Sequence, residues 1–256
     1  MTSETTVPPA IAELAREATR ITVLTGSGMS AESGIATFRD ADTGLWAQFD
    51  PLDLATVAGW RRDTALVNAW YLWRIALIRR AEPNAGHVAL ARWAQRPGIR
   101  LRIVTQNVDD LHERAGVDVL AHLHGSLFAY RCDTCAAPGD LPEIPDEPHE
   151  RIDPTPCERC GIGHLRPGVV WFGEELPRRA FDDAVQVCRD AHLVLVVGTS
   201  GIVYPAASLP YIAKDSGIPV VEIDPNSTEF THEADQVWRA TAAQALPALV
   251  AALDKH

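Results

Sequence analysis

Four short aliphatic and β-branched runs punctuate the chain: ITVLT at 21–25, RLRIVT at 100–105, HLVLVVG at 192–198 and IPVVEID at 218–224. Between them lie helix-like segments near 9–19, 63–80, 84–95, 178–190 and 205–216, with a last one near 243–253. Apolar strands alternating with helices predict an α/β fold, a doubly wound, Rossmann-like parallel sheet covered on both faces. The rhythm breaks twice. Residues 36–80 form a helical and loop insert after the first glycine-rich turn. Residues 126–168 carry two cysteine pairs and the aperiodic, Pro/Asp/Glu-rich stretch APGDLPEIPDEPHERIDPTP. The expected organisation is one domain over 1–256, whose main α/β part comprises about 8–35, 81–125 and 169–256, with these two inserts. No internal repeat is visible.

Within the first insert, AWYLWRIALIRR at 69–80 places Arg74 in an apolar run. The helix is expected to start at the Asp63-Thr64 capping pair and to stop before Pro83. Arg74 has Trp70, Tyr71, Leu77 and Ile78 one turn away, none of them anionic. A buried cation needs a counter-charge, from elsewhere in the fold or from a ligand. The competing reading is a stem packed on apolar surface with its head in water.

Composition narrows the classes. A net charge of −11 argues against a nucleic-acid scaffold, because phosphate binding wants a basic face. No apolar run approaches the ~20 residues of a membrane span, and MTSETTVPPA lacks a signal-peptide core, so a cytoplasmic protein without membrane partners is expected. Five cysteines, four of them in close pairs, favour an intracellular metal site over disulfides.

Strand 21–25 runs into GSGMSA, which satisfies G-x-G-x-x-G/A through Gly26, Gly28 and Ala31. In that motif the glycines admit a pyrophosphate and the small third residue packs helix on strand; the alternative is a plain βα turn. The next stretch, GIATFRDADTGLWAQFD, is loop-like where a hydride-transferring enzyme would continue to a second strand ending in an acid. The strand-end acid occurs much later, as Asp224.

Cys132-x-x-Cys135 and Cys157-x-x-Cys160 form the paired spacing of a tetrahedral thiolate site. Four thiolates leave no open position, so the expected ion is one structural Zn2+. Cys188 is read as core. TQNVDDLHERAG supplies Gln106, Asn107 and Asp109 beside a strand end, and LAHLHGSL supplies His122 and His124. Histidine suits proton transfer near neutral pH; His124, before a Gly-Ser turn and the metal insert, is the favoured candidate. His87, in the first turn of a helix behind Asn84, is read as structural.

In combination these segments resemble the sirtuin family of NAD-dependent protein-lysine deacylases, over about residues 20–246. GSGMSAESGIATFR, TQNVDDLH, LHGSL, the cysteine pairs, VVWFGE, GTS at 198–200 and the strand ending in Asp224 follow in family order. The resemblance implies NAD as co-substrate, with Gly26, Ser27 and Gly28 near the pyrophosphate. Glu32, Phe38, Arg39 and Trp46 then belong to the cofactor loop, and Gln106, Asn107 and Asp109 to the nicotinamide-ribose side. Gly198, Thr199, Ser200, Asp224, Asn226 and Ala242 would line the adenosine half. It further implies His124 as general base on a ribose hydroxyl, Asn107 and Asp109 in catalysis, and an acyl-lysine protein lying along Val170, Trp171, Phe172 and Gly173 as an added strand. Tyr71 and Arg74 match the Tyr-x-x-Arg spacing of the desuccinylase/demalonylase branch, where a guanidinium pairs with an acyl carboxylate.

The chain departs from the family pattern at Ser27, Ala36, Asp224 and Ala240, where alanine, proline, asparagine and glycine are usual. Rival readings are a deacetylase whose Arg74 pairs with a protein carboxylate, a protein ADP-ribosyltransferase, and a non-enzymatic zinc module. Oligomeric state is open, a monomer being compatible with the sequence.

Overall fold

The computed structural model describes residues 6–35, 49–50 and 54–254. The chain starts with helix α1 (Pro9–Glu17) and strand β1 (Arg20–Thr25). Helices α2 (Val57–Arg62), α3 (Thr64–Arg80) and α4 (Ala85–Ala94) lead to β2 (Arg100–Thr105). A four-residue helix α5 (Leu111–Arg114) precedes β3 (Val119–His122). Strands β4 (Gly125–Cys132), β5 (Pro138–Gly139) and β6 (Leu165–Val169) form the cysteine-bearing part. The return comprises α6 (Arg178–Asp190), β7 (Leu193–Val197), α7 (Leu209–Asp215), β8 (Val220–Ile223), β9 (Gln236–Trp238) and α8 (Ala242–Leu253).

The six-stranded sheet has the order β3-β2-β1-β7-β8-β9, and every pair is parallel. In β1 every residue from Ile21 to Thr25 is buried, as expected of a central strand with helices on both faces. One face carries a core of Ile11, Leu90, Trp93, Leu246 and Leu249 from α1, α4 and α8. The other carries Ala184, Cys188, Leu209 and Ala213 from α6 and α7. Cys188 is fully buried there, as its apolar surroundings in sequence suggested.

A third core sits apart from the large sheet. It joins Trp60, Val67, Trp70, Tyr71 and Ile75 of α2 and α3 to Leu127, Tyr130, Val169 and Trp171 around the small antiparallel sheet β5-β4-β6. The aperiodic stretch is thus bracketed by strands that sequence reasoning did not anticipate. β3 and β9 were likewise unread: both are short edge strands of mixed burial. Segment 205–216 is a 3-10 turn at Ala206–Ser208 followed by α7.

Local chemistry sets the helix starts. The Asp63 carboxylate accepts the Leu66 amide at 3.0 Å, capping α3 where the capping pair predicted. At α4 the Asn84 side chain accepts the amides of Gly86 and His87, and the His87 ring accepts the Asn84 amide, a reciprocal box. Asn84 also donates to the Met29 carbonyl at 2.8 Å and to the Ser33 hydroxyl at 3.1 Å. It thereby ties the glycine-rich turn to α4. Replacing Asn84 with Ala removes a cap and two tertiary bonds. We expect a loss of about 2–4 kcal/mol, read as a lower urea midpoint at unchanged slope.

Candidate active site

The strand order reverses between β1 and β7, and in open α/β sheets ligands bind outside the carboxyl ends of the strands at such a switch point. The Gly26 amide donates to the Val197 carbonyl at 3.1 Å and the Gly28 amide to the Gly198 carbonyl at 2.9 Å. A Cβ on Gly28 would stand 2.7 Å from the Gly198 Cα, and one on Gly26 2.7 Å from the Gly198 carbonyl oxygen. Gly198 itself has φ +60. The motif glycines therefore serve a close backbone contact within the chain, where the sequence pointed only to ligand approach. Glu32 is also engaged internally: its carboxylate accepts the Ala243 amide at 3.1 Å, at the start of α8.

From this crossing a buried polar chain runs along the site. Thr25 donates to the Thr105 hydroxyl, which in turn accepts the Asn107 amide. The Asn107 side-chain amide donates to the Ser30 hydroxyl at 3.0 Å, and Ser30 donates to Asp109 Oδ2 at 2.9 Å. Asp109 Oδ1 accepts the Leu111 amide. Asn107 and Asp109 are both buried, and burial pushes the Asp109 carboxyl upward. Ser30 was not singled out from the sequence; its place inside GSGMSA was the available signal. Gln106 donates to the Thr199 hydroxyl at 3.0 Å, bridging the ends of β2 and β7.

His124 Nδ1 lies 3.0 Å from the Gln106 carbonyl. A carbonyl only accepts, so Nδ1 carries the proton and Nε2 keeps its lone pair. Burial lowers its pKa below the usual 6.5, keeping the ring neutral at pH 7. His122 differs. Its Nε2 is 2.7 Å from Glu113 and its Nδ1 3.3 Å from the Asn107 carbonyl. Burial opposes its charge, but the Glu113 carboxylate outweighs that and raises its pKa. His87 and His112 stack edge-to-face at 4.8 Å in the core, where burial depresses them to about 4 and about 3. They are structural, as expected for His87.

On the far side of His124, its carbonyl accepts the Val170 amide at 2.8 Å. The Trp171 amide goes to Glu174 and the Phe172 amide to the Ala55 carbonyl. These three donors are thus engaged within the chain. Trp171 is buried, whereas Phe172 is 46% exposed beside Gly173. Tyr71 is buried and hydrogen-bonded to Trp171; Arg74 is half-buried, its guanidinium carbon 4.9 Å from the Trp70 ring centre.

At the β8 end, Asp224 Oδ1 accepts the Asn226 amide, and burial, aided by the Glu222 charge, raises the Asp224 carboxyl. Ala242 is buried at the start of α8, its carbonyl 2.9 Å from where a Cβ on Gly86 would stand. Ser27 and Ser200 flank the glycine crossing on the β1 and β7 turns. Phe38, Arg39, Trp46 and Ala36 lie outside the described residues.

Cys132, Cys135, Cys157 and Cys160 bring their sulfurs within 4.8 Å of one another. The Cys132–Cys160 and Cys135–Cys157 separations are 3.7 and 3.8 Å. A tetrahedron with Zn–S near 2.3 Å has edges of about 3.8 Å, so the donor set fits one zinc ion with no vacant position. Next to it, Asp133 accepts the Trp60 indole N–H at 2.9 Å and the His164 amide at 3.0 Å, joining the thiol cluster to α2.

Fold and site together define a nucleotide-binding type of α/β protein with a thiolate-held insert. The chain belongs to the Sir2 family, whose model matches residues 26–205. It is 53% identical over 243 residues to the NAD-dependent protein deacylase of Corynebacterium glutamicum, covering 94% of each chain. It is 51% identical to the NAD-dependent protein deacylase Sir2 of Mycolicibacterium smegmatis, over 90% of this chain and 95% of that one. A crystal structure of a Sir2 homolog–NAD complex superposes with TM-score 0.88 at 39% identity, covering 100% and 97% of the two chains. The sirtuin resemblance therefore holds. Among the described residues no helix is long and apolar enough to cross a membrane.

Stripping zinc with a strong chelator should expose Cys132, Cys135, Cys157 and Cys160 to a thiol reagent while Cys188 stays protected. Tryptophan emission should change with them, because Trp60 is anchored to Asp133. Thiol titration and fluorescence on one sample check both.

Proposed function

We propose that the chain is an NAD-dependent protein-lysine deacylase that accepts acidic acyl groups, succinyl and malonyl, as well as acetyl. The relatives' names support the deacylase activity, and the observation that carries the chemistry is the fixed tautomer of His124. NAD, as co-substrate, supplies a ribose carbon that becomes electrophilic as nicotinamide departs and is attacked by the acyl oxygen. His124 Nε2, left with its lone pair because Nδ1 donates to the Gln106 carbonyl, accepts the proton of a ribose hydroxyl. Asn107 and Asp109, both buried and held in register by Ser30, orient the nicotinamide-ribose end. The deprotonated hydroxyl attacks the acyl carbon, the acyl C–N bond breaks as lysine leaves with a proton, and one water is consumed in completing the ester, so that the products are free lysine, nicotinamide and O-acyl-ADP-ribose.

Gly26, Ser27 and Gly28 would face the pyrophosphate, Gly198 to Ser200 with Asp224, Asn226 and Ala242 the adenosine half. Phe172 and Gly173 would offer the exposed edge for the substrate chain, although the amides of 170–172 and the Trp171 carbonyl are already engaged within the chain.

The acyl preference rests on Tyr71 and Arg74. They share one face of α3, and the Arg74 charge acts on the Tyr71 hydroxyl. Charge-assisted hydrogen bonds contribute roughly 1.5–3 kcal/mol. Arg74→Met should therefore reduce desuccinylation about tenfold or more relative to deacetylation, measured by mass spectrometry on a panel of acyl-lysine peptides with NAD. An equal fall for both, or no change, removes the acidic-acyl reading and leaves a deacetylase. A mass gain on the peptide in place of acyl loss identifies an ADP-ribosyltransferase.

The pH profile has a defined sign. A base with a depressed pKa stays active as the medium acidifies through 6.5 and loses activity only below it. The acid limb of kcat/KM should therefore turn below 6.5, and His124→Ala should remove about 10²–10⁴-fold of the rate.

A further inference from the structure

Trp171 is gripped from every side. Its indole N–H donates to the Tyr71 hydroxyl oxygen at 2.8 Å, and the two rings stack with centres 6.4 Å apart, inclined at 27°. Trp60 packs at 5.6 Å. The Arg166 guanidinium lies 3.1 Å from its ring centre, and Arg166 is itself buried, holding both Glu174 oxygens at 2.7 and 3.0 Å. Glu174 in turn accepts the Trp171 main-chain amide at 2.9 Å. Ring and backbone are therefore fixed together, and Trp171 is 2% exposed.

The indole nitrogen is a donor only, whereas a phenol holds one proton and accepting lone pairs. The Trp171 bond therefore occupies a lone pair of Tyr71 and leaves its proton to be given elsewhere. Tyr71 keeps that proton, because burial raises its pKa well above the ordinary phenol value. Arg74, three residues on, presents a cation on the same helix face. A donor hydroxyl beside a guanidinium suits a carboxylate and offers little to a methyl group.

We infer that Trp171 is a positioning residue for acyl-chain selection: its indole N–H locks the Tyr71 ring and commits the Tyr71 proton to the carboxylate of the acyl tail. This rests on the acidic-acyl reading above. It gives Trp171 a role separate from its place along the substrate edge, and it makes Arg166 and Glu174 the supports of the acyl pocket as well as of that edge. Phenylalanine at 171 would keep an aromatic ring but lose the N–H and part of the volume. Tyr71 could then turn its oxygen toward the acyl carboxylate as an acceptor, which repels it.

The test compares succinyl- and acetyl-lysine peptides with saturating NAD for the wild type, Trp171→Phe, Tyr71→Phe and the double variant. In Trp171→Phe, kcat/KM for succinyl-lysine should fall five- to tenfold further than for acetyl-lysine, chiefly through KM. In the Tyr71→Phe background that selective part should vanish, because no hydroxyl remains to orient. Equal losses on both peptides, or a selective loss that persists without the Tyr71 hydroxyl, overturn the inference. If Trp171→Phe does not fold, benzothienylalanine at 171 keeps the shape, removes the N–H, and is held to the same two outcomes. A wild type that leaves succinyl-lysine untouched sinks the acidic-acyl reading and this inference with it. A wild type that removes succinyl while Trp171→Phe loses both activities alike sinks the inference alone.

Discussion

The main-chain contact between the β1 and β7 turns is the constraint on which the site depends. Gly28 and Gly198 meet so closely that neither has room for a methyl group, and Gly198 uses a left-handed conformation to do it. Closure of that gap brings the ends of two parallel strands to one crevice, and Gln106 extends the alignment to β2 through Thr199. Everything polar that follows is referenced to this crossing: Ser30 lies two residues past Gly28, and the Asn84 side chain fastens Met29 from outside. A displacement of an ångström here would travel directly into the Ser30, Asn107 and Asp109 network, and near-attack geometry tolerates little of that.

The network is costly to assemble in a dry interior, and it succeeds because each member has a complementary partner. Ser30 accepts from one neighbour and donates to the other, so the Asn107 amide and the Asp109 carboxyl are both satisfied. The two neighbouring histidines show how environment separates roles. His122 sits against Glu113 and is held toward its charged form, whereas His124 has only a carbonyl beside its Nδ1 and stays neutral. One carboxylate, supplied by the short helix α5, makes the difference.

The thiol cluster and helices α2 and α3 pack together around aromatic rings. Asp133 carries the link from the thiols to Trp60, Trp60 packs on Trp171, and Trp171 reaches both Tyr71 and the Glu174 carboxylate. The cysteines are thus connected by a short sequence of contacts to the helix bearing Arg74. A thiol cluster distant in sequence becomes part of what fixes the helix that carries Tyr71 and Arg74.

The α/β class, the four central strands, the α3 cap at Asp63, the α4 start at Asn84 and the thiolate set were legible from sequence because each depends on local spacing or a single residue type. β3 and β9 were not, since they are edge strands of mixed burial whose identity comes from the neighbour they pair with, whereas the equally short β8 is central and wholly buried. The cysteine spacing announced a metal, but the sheet enclosing it is formed by pairing of β4 with β6 across more than thirty residues, which no periodicity encodes. The tautomer of His124, the engagement of Glu32 with α8, the bridging hydroxyl of Ser30 and the clamp of Arg166 and Glu174 on Trp171 were decided only by tertiary structure. Hydrogen-bond direction and burial are relations between distant segments, and a residue's identity fixes what it can donate or accept without saying to whom.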